Sequence, residues 1–325
     1  MYKNEFSIFL ILCFFFVLNS CSPEKPPFKD SLVSCFDGIK NGDEKGIDCG
    51  GVCSEFCPVP NSLEGDLYLR TPLNPAIEYT ITGPLIIRDG ASLDIPAGMT
   101  IKVAPNRNAY IAIAQGGKLY AYGTEEQPII ITSGSQNPQP GDWGGIILCG
   151  KAPINTGEIG RSEVGDIFYG GNDPIDSSGY LRYLRVEYTG ATFREESAFS
   201  GISFFGVGSY TTILNVQSLY ALGDNYKFFG GTVTATGIVG TNSSRNGISI
   251  VQGWYGSIEN SYLSGFDEIG ISIANNESSN LATLKNVSLI GSNTNAALSY
   301  GTGRGSVNFE NLYATNFSLG IKVNG

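Results

Sequence analysis

The sequence predicts an all-β protein whose main body is a parallel β-helix, a solenoid of short strands. Three observations lead to this fold class. The chain has 43 Gly among 325 residues and many Ser, Thr, Asn, Ile and Val residues, which suit strands and tight turns. From about residue 79 onward, short alternating apolar stretches are broken by Gly and other turn residues. A short motif also recurs at intervals of roughly 20–30 residues, as in solenoids.

Composition excludes several functions. The chain contains no His, which rules out Ser-His-Asp and Cys-His nucleophilic catalysis, His-ligated zinc and an imidazole base. Its net charge of -10 disfavours a nucleic-acid partner, because phosphates attract basic surfaces.

Residues 1–20 have the features of a secretory signal peptide. Lys3 supplies a positive charge, and the apolar stretch 6–18 is too short to span a bilayer. The segment ends in Leu18-Asn19-Ser20-Cys21, which resembles a bacterial lipobox and predicts acylation of Cys21. The alternative is an ordinary signal peptide followed by a chance Cys.

Residues 21–34 are polar and rich in Pro, as expected of a flexible tether that lifts a domain off a membrane. Ser31 lies in Asp30-Ser31-Leu32, which resembles an O-glycosylation sequon of Bacteroidota. A solvated linker without the modification is the alternative.

Residues 35–58 form a small Cys-rich module. Cys35, Cys49, Cys53 and Cys57 predict two disulfides, because so short a segment cannot bury a core. Three connectivities are possible, and the sequence does not choose among them. A zinc site with four thiolate ligands is the alternative, although the usual paired spacing is absent.

The Cys-rich module also contains a candidate Ca²⁺ site. Asp37, Asn41, Asp43 and Asp48 offer hard oxygen ligands, with a solvated acidic turn as the alternative. The stretch resembles the C-x-D-G-x-x-N-G-x-E-x-G-x-D-C-G-G-x-C module of extracellular bacterial proteins. That resemblance implies a disulfide-bonded spacer or interaction module.

Residues 66–325 carry the repeat. Its signature is an apolar residue, any residue, Asn and a further residue that is usually apolar, with Asn at 215, 260, 286 and 311. A looser match without the Asn, Val233-Thr-Ala235-Thr236, fills the longest interval, and another, Tyr183-Leu-Arg185-Val186, lies one step before Asn215. Equivalent Asn side chains are expected to hydrogen-bond along the axis at one corner of the coil. The pattern resembles a right-handed parallel β-helix, and a β-sandwich is the main rival.

The middle of the chain resembles a Bacteroidota surface-lipoprotein family with a β-helix body. The similarity covers about residues 80–270 and is carried by PGDWGGIILCGKAPIN (140–155), by residues 169–190 and by YALGDNYKFFGGTV (220–233). In that family an acidic run follows the last stretch, whereas residues 240–256 here contain no carboxylate. The resemblance implies a surface lipoprotein and supplies no reaction.

Residues for polysaccharide cleavage are sparse. Candidates for a lyase are Arg182, Arg185, Glu187, Asp224 and Lys227. Arg182 and Arg185 would point to opposite faces if they shared a strand, and Arg185 would pair with Glu187 on one face. The adjacent pairs Glu195-Glu196 and Asp267-Glu268 do not suit a glycosidase, because neighbours on a strand diverge.

Other residues suggest binding. Tyr169 and Asp173 lie in an excursion at 156–179 and could contact a sugar or hold Ca²⁺. Trp143, Trp254 and Tyr255 are neighboured by Gly and could stack on sugar rings or meet a protein partner. Burial in the core is the alternative for these aromatic residues, and an ion-free loop is the alternative for the excursion.

The sequence therefore predicts a lipid-anchored outer-membrane protein, facing the cell surface, without catalytic activity. Its partners would be the membrane, through the anchor, and either a glycan or another envelope protein. The alternatives are a β-helical polysaccharide lyase or glycosidase, and an adhesin-like structural stalk. No cofactor is required beyond the Ca²⁺ considered above.

Overall fold

The computed structural model describes residues 34–323, apart from residues 56, 58, 165–166, 195–196, 276, 279, 293–295 and 302–306. The predicted signal peptide, Cys21 and Ser31 lie outside these residues. The chain divides into two compact units, one up to residue 58 and one from residue 59. No helix in the described ranges is long and apolar enough to cross a membrane.

The first unit contains the Cys-rich module, where two disulfides confirm the predicted oxidised state. They join Cys35 to Cys53 and Cys49 to Cys57. Cys49, Cys53 and the Glu44 side chain are buried. The disulfides therefore take the place of an apolar core in this unit.

The second unit contains the strands β1 (Ser62–Leu67), β2 (Arg70–Pro72), β3 (Thr80–Ile87), β4 (Ser92–Ile95), β5 (Thr100–Val103), β6 (Tyr110–Ile113), β7 (Lys118–Tyr122), β8 (Ile129–Ser133), β9 (Ile146–Cys149), β10 (Gly160–Arg161), β11 (Phe168–Tyr169), β12 (Gly179–Arg182), β13 (Leu184–Glu187), β14 (Thr192–Arg194), β15 (Ser197–Ala198), β16 (Ile202–Val207), β17 (Thr212–Leu214), β18 (Gln217–Leu219), β19 (Tyr226–Gly231), β20 (Thr234–Thr236), β21 (Val239–Thr241), β22 (Ile248–Val251), β23 (Ser257–Ser264), β24 (Ile269–Ile273), β25 (Ala282–Ile290), β26 (Ala296–Tyr300), β27 (Val307–Thr315) and β28 (Leu319–Val323).

Parallel pairing links 24 of these strands into a β-helix with three faces. Face A runs from β1 and β3 through β6, β9, β16, β19, β22, β24, β26 and β28. Face B runs from β2 through β4, β7, β12, β17 and β20 into the first halves of β23, β25 and β27. Face C runs from the start of β3 through β5, β8, β13, β18 and β21 into the second halves of β23, β25 and β27. The predicted all-β parallel solenoid is confirmed.

The predicted Asn motif lies at the corner between faces B and C. Asn215, Asn260, Asn286 and Asn311 all adopt positive φ angles near 55°, a conformation that Asn tolerates better than most residues. The Asn286 amide donates to Asn260 Oδ1 at 2.8 Å, and the Asn311 amide donates to Asn286 Oδ1 at 2.9 Å. We call this row the asparagine ladder, and it confirms the predicted hydrogen bonding along the axis.

For the two looser matches, the predicted position of the motif is wrong by two residues. Ile213 pairs with Ala235, so Gly237 occupies the corner position of Asn215. Leu181 pairs with Ile213, so Tyr183 occupies the corresponding position one coil earlier. Both residues have positive φ angles, which shows that the corner requires a left-handed backbone and not Asn as such.

An excursion between β9 and β12 covers part of the outer side of face A. Val164, Ile167 and Tyr169 from this excursion pack on Ile147 and Phe205. Ala191 and Phe199, from the segment after β13, join the same cluster. Face A is thus buried on both sides in these coils, because a second apolar cluster lies outside the main core.

Candidate functional site

Three tyrosines form a row on the outer side of face B, which we call the tyrosine strip. Leu119 and Ala121 of β7 point into the core, so the alternating Tyr120 and Tyr122 point outward. Tyr180 of β12 pairs in register with Tyr120 on the next coil. The ring centroids are 5.8 Å apart both between Tyr120 and Tyr122 and between Tyr122 and Tyr180. Tyr122 is 48% exposed, so the strip presents aromatic surface to solvent.

Basic side chains border the tyrosine strip. Arg70 of β2 donates from Nε to Asp94 Oδ2 at 2.7 Å, and Asp94 also accepts a 2.7 Å hydrogen bond from Ser92 Oγ. Arg182 pairs with Tyr122 on the adjacent strand, and its guanidinium carbon lies 5.3 Å from the centroid of the Tyr183 ring. The strip therefore has guanidinium groups on both sides.

The Tyr122 hydroxyl is a hydrogen-bond donor at neutral pH. Partial burial raises the pKa of this phenol, and the nearby Asp94 carboxylate raises it further. Aromatic rings flanked by donors are suited to sugars, because the apolar face of a ring stacks and the donors bind hydroxyl or carboxylate oxygens. The tyrosine strip therefore combines aromatic ring faces with hydrogen-bond donors.

The lyase candidates are dispersed. Arg182 and Arg185 do not share a strand, because the corner at Tyr183 separates them onto faces B and C. The predicted pair between Arg185 and Glu187 is present, and Glu187 Oε2 also accepts a hydrogen bond from Thr132 Oγ1 at 2.8 Å. These two residues support each other on face C, as the non-catalytic alternative predicted.

Asp224 and Lys227 belong to a separate, largely buried cluster. Lys227 Nζ lies 3.3 Å from Glu163 Oε1 and 3.9 Å from Asp224 Oδ2. Ser249 Oγ and the backbone N–H of Asn246 also donate hydrogen bonds to the Asp224 carboxylate. Burial raises the pKa of Glu163, although Lys227 opposes the shift. The lysine is engaged by two carboxylates, so the cluster holds the excursion to face A instead of offering a free base.

Several predicted binding residues lie in the core. Trp143 and Trp254 have no exposed surface, and their indole groups donate to the carbonyls of Glu187 and Val233. Tyr169 is buried in the second apolar cluster and donates to Gln252 Oε1 at 2.7 Å. The predicted ligand contacts of these three residues are wrong, because neighbouring coils and the excursion cover their rings.

The other two predicted binding residues are accessible but stand apart from the tyrosine strip. Asp173 is exposed, and its carboxylate accepts the Ile175 amide in a local turn. Tyr255 is half-buried between β22 and β23. A binding role for Asp173 and Tyr255 stays a prediction.

The residues proposed for Ca²⁺ are partly engaged with one another. Asp48 accepts the amides of Asp37 and Gly38 at 2.9 and 2.7 Å, and the Asn41 amide group donates to Asp37 Oδ2 at 3.0 Å. A metal site would need at least three Cys or acidic residues whose ligand atoms lie within 4.8 Å of one another. In the described part of the module, Asp43 belongs to no such group. The one such group there is Cys35, Glu44 and Cys53, whose sulfurs form a disulfide. The Ca²⁺ site stays a prediction.

The tyrosine strip is not among the features predicted from the sequence. Its signal was present in Lys118-Leu-Tyr-Ala-Tyr122, where an apolar–aromatic alternation places both tyrosines on one side. The partner Tyr180 follows the long excursion, so its position beside Tyr120 is invisible in the linear order. Aligning the coils through the excursion would have found it.

The family of the second unit follows from a comparison with known protein families. The family model described as a pectate-lyase-like β-helix domain matches residues 65–325. The chain therefore belongs to this family. No curated protein and no solved structure matches the chain.

Proposed function

We propose that this protein is a non-catalytic, lipid-anchored protein of the bacterial cell envelope whose β-helix binds a polysaccharide along face B. The observation that carries the proposal is the tyrosine strip, with Arg70 and Arg182 on its borders. A glycan with carboxylate groups fits this surface best, because guanidinium groups bind carboxylates in a planar arrangement. The Nε of Arg70 is paired with Asp94, but the Arg70 side chain is 62% exposed and can still contact a ligand. The pectate-lyase-like family is consistent with such a ligand.

The direction of the strip also supports a chain-like ligand. Tyr120 and Tyr180 lie on adjacent coils, and adjacent parallel strands are about 4.8 Å apart. That spacing is close to the length of one sugar residue, so an extended glycan could follow the solenoid axis and meet one coil per residue. Arg182, in register with Tyr122, would contact the same stretch of ligand.

A lyase or glycosidase is less well supported. Lys227 is held between Glu163 and Asp224, and Arg185 is held by Glu187. Asp94, the carboxylate that acts on Tyr122, is buried and already accepts two hydrogen bonds. General acid–base cleavage needs two groups that are free to exchange protons with the ligand.

A purely structural stalk is also less well supported. A stalk would gain from uniform coils, whereas the excursion after β9 and the segment after β13 both enlarge the turn from β9 to β16. The role of accessory subunit in an envelope complex is compatible with glycan binding. We retain it as part of the proposal, together with acylation at Cys21 and location in the outer membrane at the cell surface.

Affinity electrophoresis of the purified chain tests the glycan proposal. The gels contain polygalacturonate, alginate or a neutral β-glucan, and the same protein is assayed for cleavage of each polymer. We expect retarded migration in at least one acidic polymer and no release of new chain ends. Unretarded migration in all three gels, or polymer cleavage, would contradict the proposal.

A further inference from the structure

The described residues of the Cys-rich module include four exposed, large apolar side chains. Phe36 is 85% exposed, and Ile39, Ile47 and Val52 are 62–63% exposed. The buried residues of this module are Cys49, Cys53 and Glu44 instead. The module therefore buries one Cys of each disulfide and an acid, while it presents these apolar side chains to its surroundings.

Two links bring these apolar residues together. The Cys35–Cys53 disulfide, with a Cα–Cα distance of 5.5 Å, joins the chain just before Phe36 to the chain just after Val52. The Asp48 carboxylate accepts the amides of Asp37 and Gly38, which brings Ile47 beside the segment that carries Phe36 and Ile39. We call these four residues the apolar rim.

The predicted anchor places the apolar rim close to a membrane. Phe36 is 15 residues after Cys21, so the chain cannot place it more than about 50 Å from the anchor. A tether this short gives the rim a high effective concentration at the bilayer surface. Even a weak apolar contact therefore becomes populated.

The charge of the module restricts the kind of lipid. Asp37, Asp43, Glu44, Asp48 and Glu55 outnumber Lys40 and Lys45 within the module. An anionic headgroup layer would repel this surface, whereas a zwitterionic layer would not. We propose that the apolar rim inserts into the zwitterionic interfacial region of the bilayer next to the acylated Cys21, an inference that rests on the proposed acylation.

Tryptophan quenching tests this contact. The full acylated chain carrying Phe36→Trp is reconstituted in phosphatidylcholine vesicles whose acyl chains are brominated. Trp143 and Trp254 are completely buried, so they contribute an unquenched background. We expect the added tryptophan to be quenched at least twofold more than one introduced by Tyr210→Trp, a site on the β-helix with 69% exposure.

Two further variants separate the possible failures. Adding Val52→Ser to the Phe36→Trp chain should reduce the quenching, because it removes an apolar neighbour from the same rim. Equal quenching of the residue 36 and residue 210 reporters, or no quenching in an anchored chain, would overturn the lipid contact and favour a protein partner for the rim.

Cys21→Ser should release the chain from vesicles; continued retention would overturn the anchor itself. Glycan binding is measured without vesicles and is independent of both results.

Discussion

Replacing Asn286 tests how the asparagine ladder stabilises the coil. This side chain donates to Asn260 and accepts from Asn311, and its φ angle is 53°. Each exposed hydrogen bond contributes about 0.5 kcal/mol, at the low end of the usual range. A left-handed backbone costs a residue other than Gly or Asn about 1–2 kcal/mol. Asn286→Ala should therefore lower the free energy of unfolding by about 2–3 kcal/mol.

Asn286→Gly separates the two contributions. It removes the same hydrogen bonds but keeps the left-handed conformation without strain, at an entropic cost of about 0.4–1 kcal/mol. We expect a loss of about 1.5 kcal/mol, so that the Ala variant is less stable than the Gly variant by about 1 kcal/mol. Ser288→Ala, on the same strand, is the control and should change stability by less than about 0.5 kcal/mol.

Urea unfolding followed by far-UV circular dichroism measures these differences. Solenoids can unfold in segments, so the slopes of the transitions must agree before free energies are compared. Equal stability of the Ala and Gly variants would show that backbone conformation at the corner does not matter. Wild-type stability of both would show that the ladder does not stabilise the coil at all.

Two further predictions concern buried groups on the outer side of face A. The pKa of Glu163 is raised in the folded state, so this group favours folding most below the ordinary Glu pKa of about 4.3 and loses that contribution as the pH rises through its folded pKa. Glu163→Gln should accordingly be at least as stable as the wild type at pH 7.5, and its stability relative to the wild type should be higher there than at pH 4. Urea unfolding at both pH values measures this difference. A variant that is less stable than the wild type at pH 7.5 would show that the ion pair with Lys227 dominates. Burial raises the pKa of the free Cys149 thiol far above its ordinary value. Cys149 should therefore resist a thiol reagent at pH 8 until urea unfolds the chain, and rapid labelling of the folded protein, located by mass spectrometry, would contradict its burial.

Much of the fold was predictable because a solenoid repeats its local rules. The Asn motif marks a corner that recurs on successive coils, and it identified the period, the stacking and the hydrogen bonding. The prediction failed by two residues where Gly237 and Tyr183 replace Asn. At those coils the backbone conformation is retained while the residue type changes, so the residue types alone do not identify the corner position.

The candidate site was less predictable because it depends on which coils are adjacent. Tyr122 and Tyr180 meet only after the chain has completed a long excursion. Trp143 and Trp254 looked like binding residues because Gly residues neighbour them. The structure instead uses those Gly residues for close packing, since a Cβ on Gly256 would lie 2.8 Å from the Trp254 indole nitrogen.

The central claim is that the tyrosine strip binds a glycan, and Tyr122→Ala tests it most directly. Losing one stacking ring should cost about 1–1.5 kcal/mol, which corresponds to a five- to tenfold weaker affinity for the acidic polymer that retards the wild type. Tyr262→Ala on face C, with a similar exposure of 44%, is the matched control and should bind like the wild type. Isothermal titration calorimetry with an oligosaccharide of that polymer measures both constants. Unchanged affinity in Tyr122→Ala, or an equal loss in Tyr262→Ala, would contradict binding at this strip.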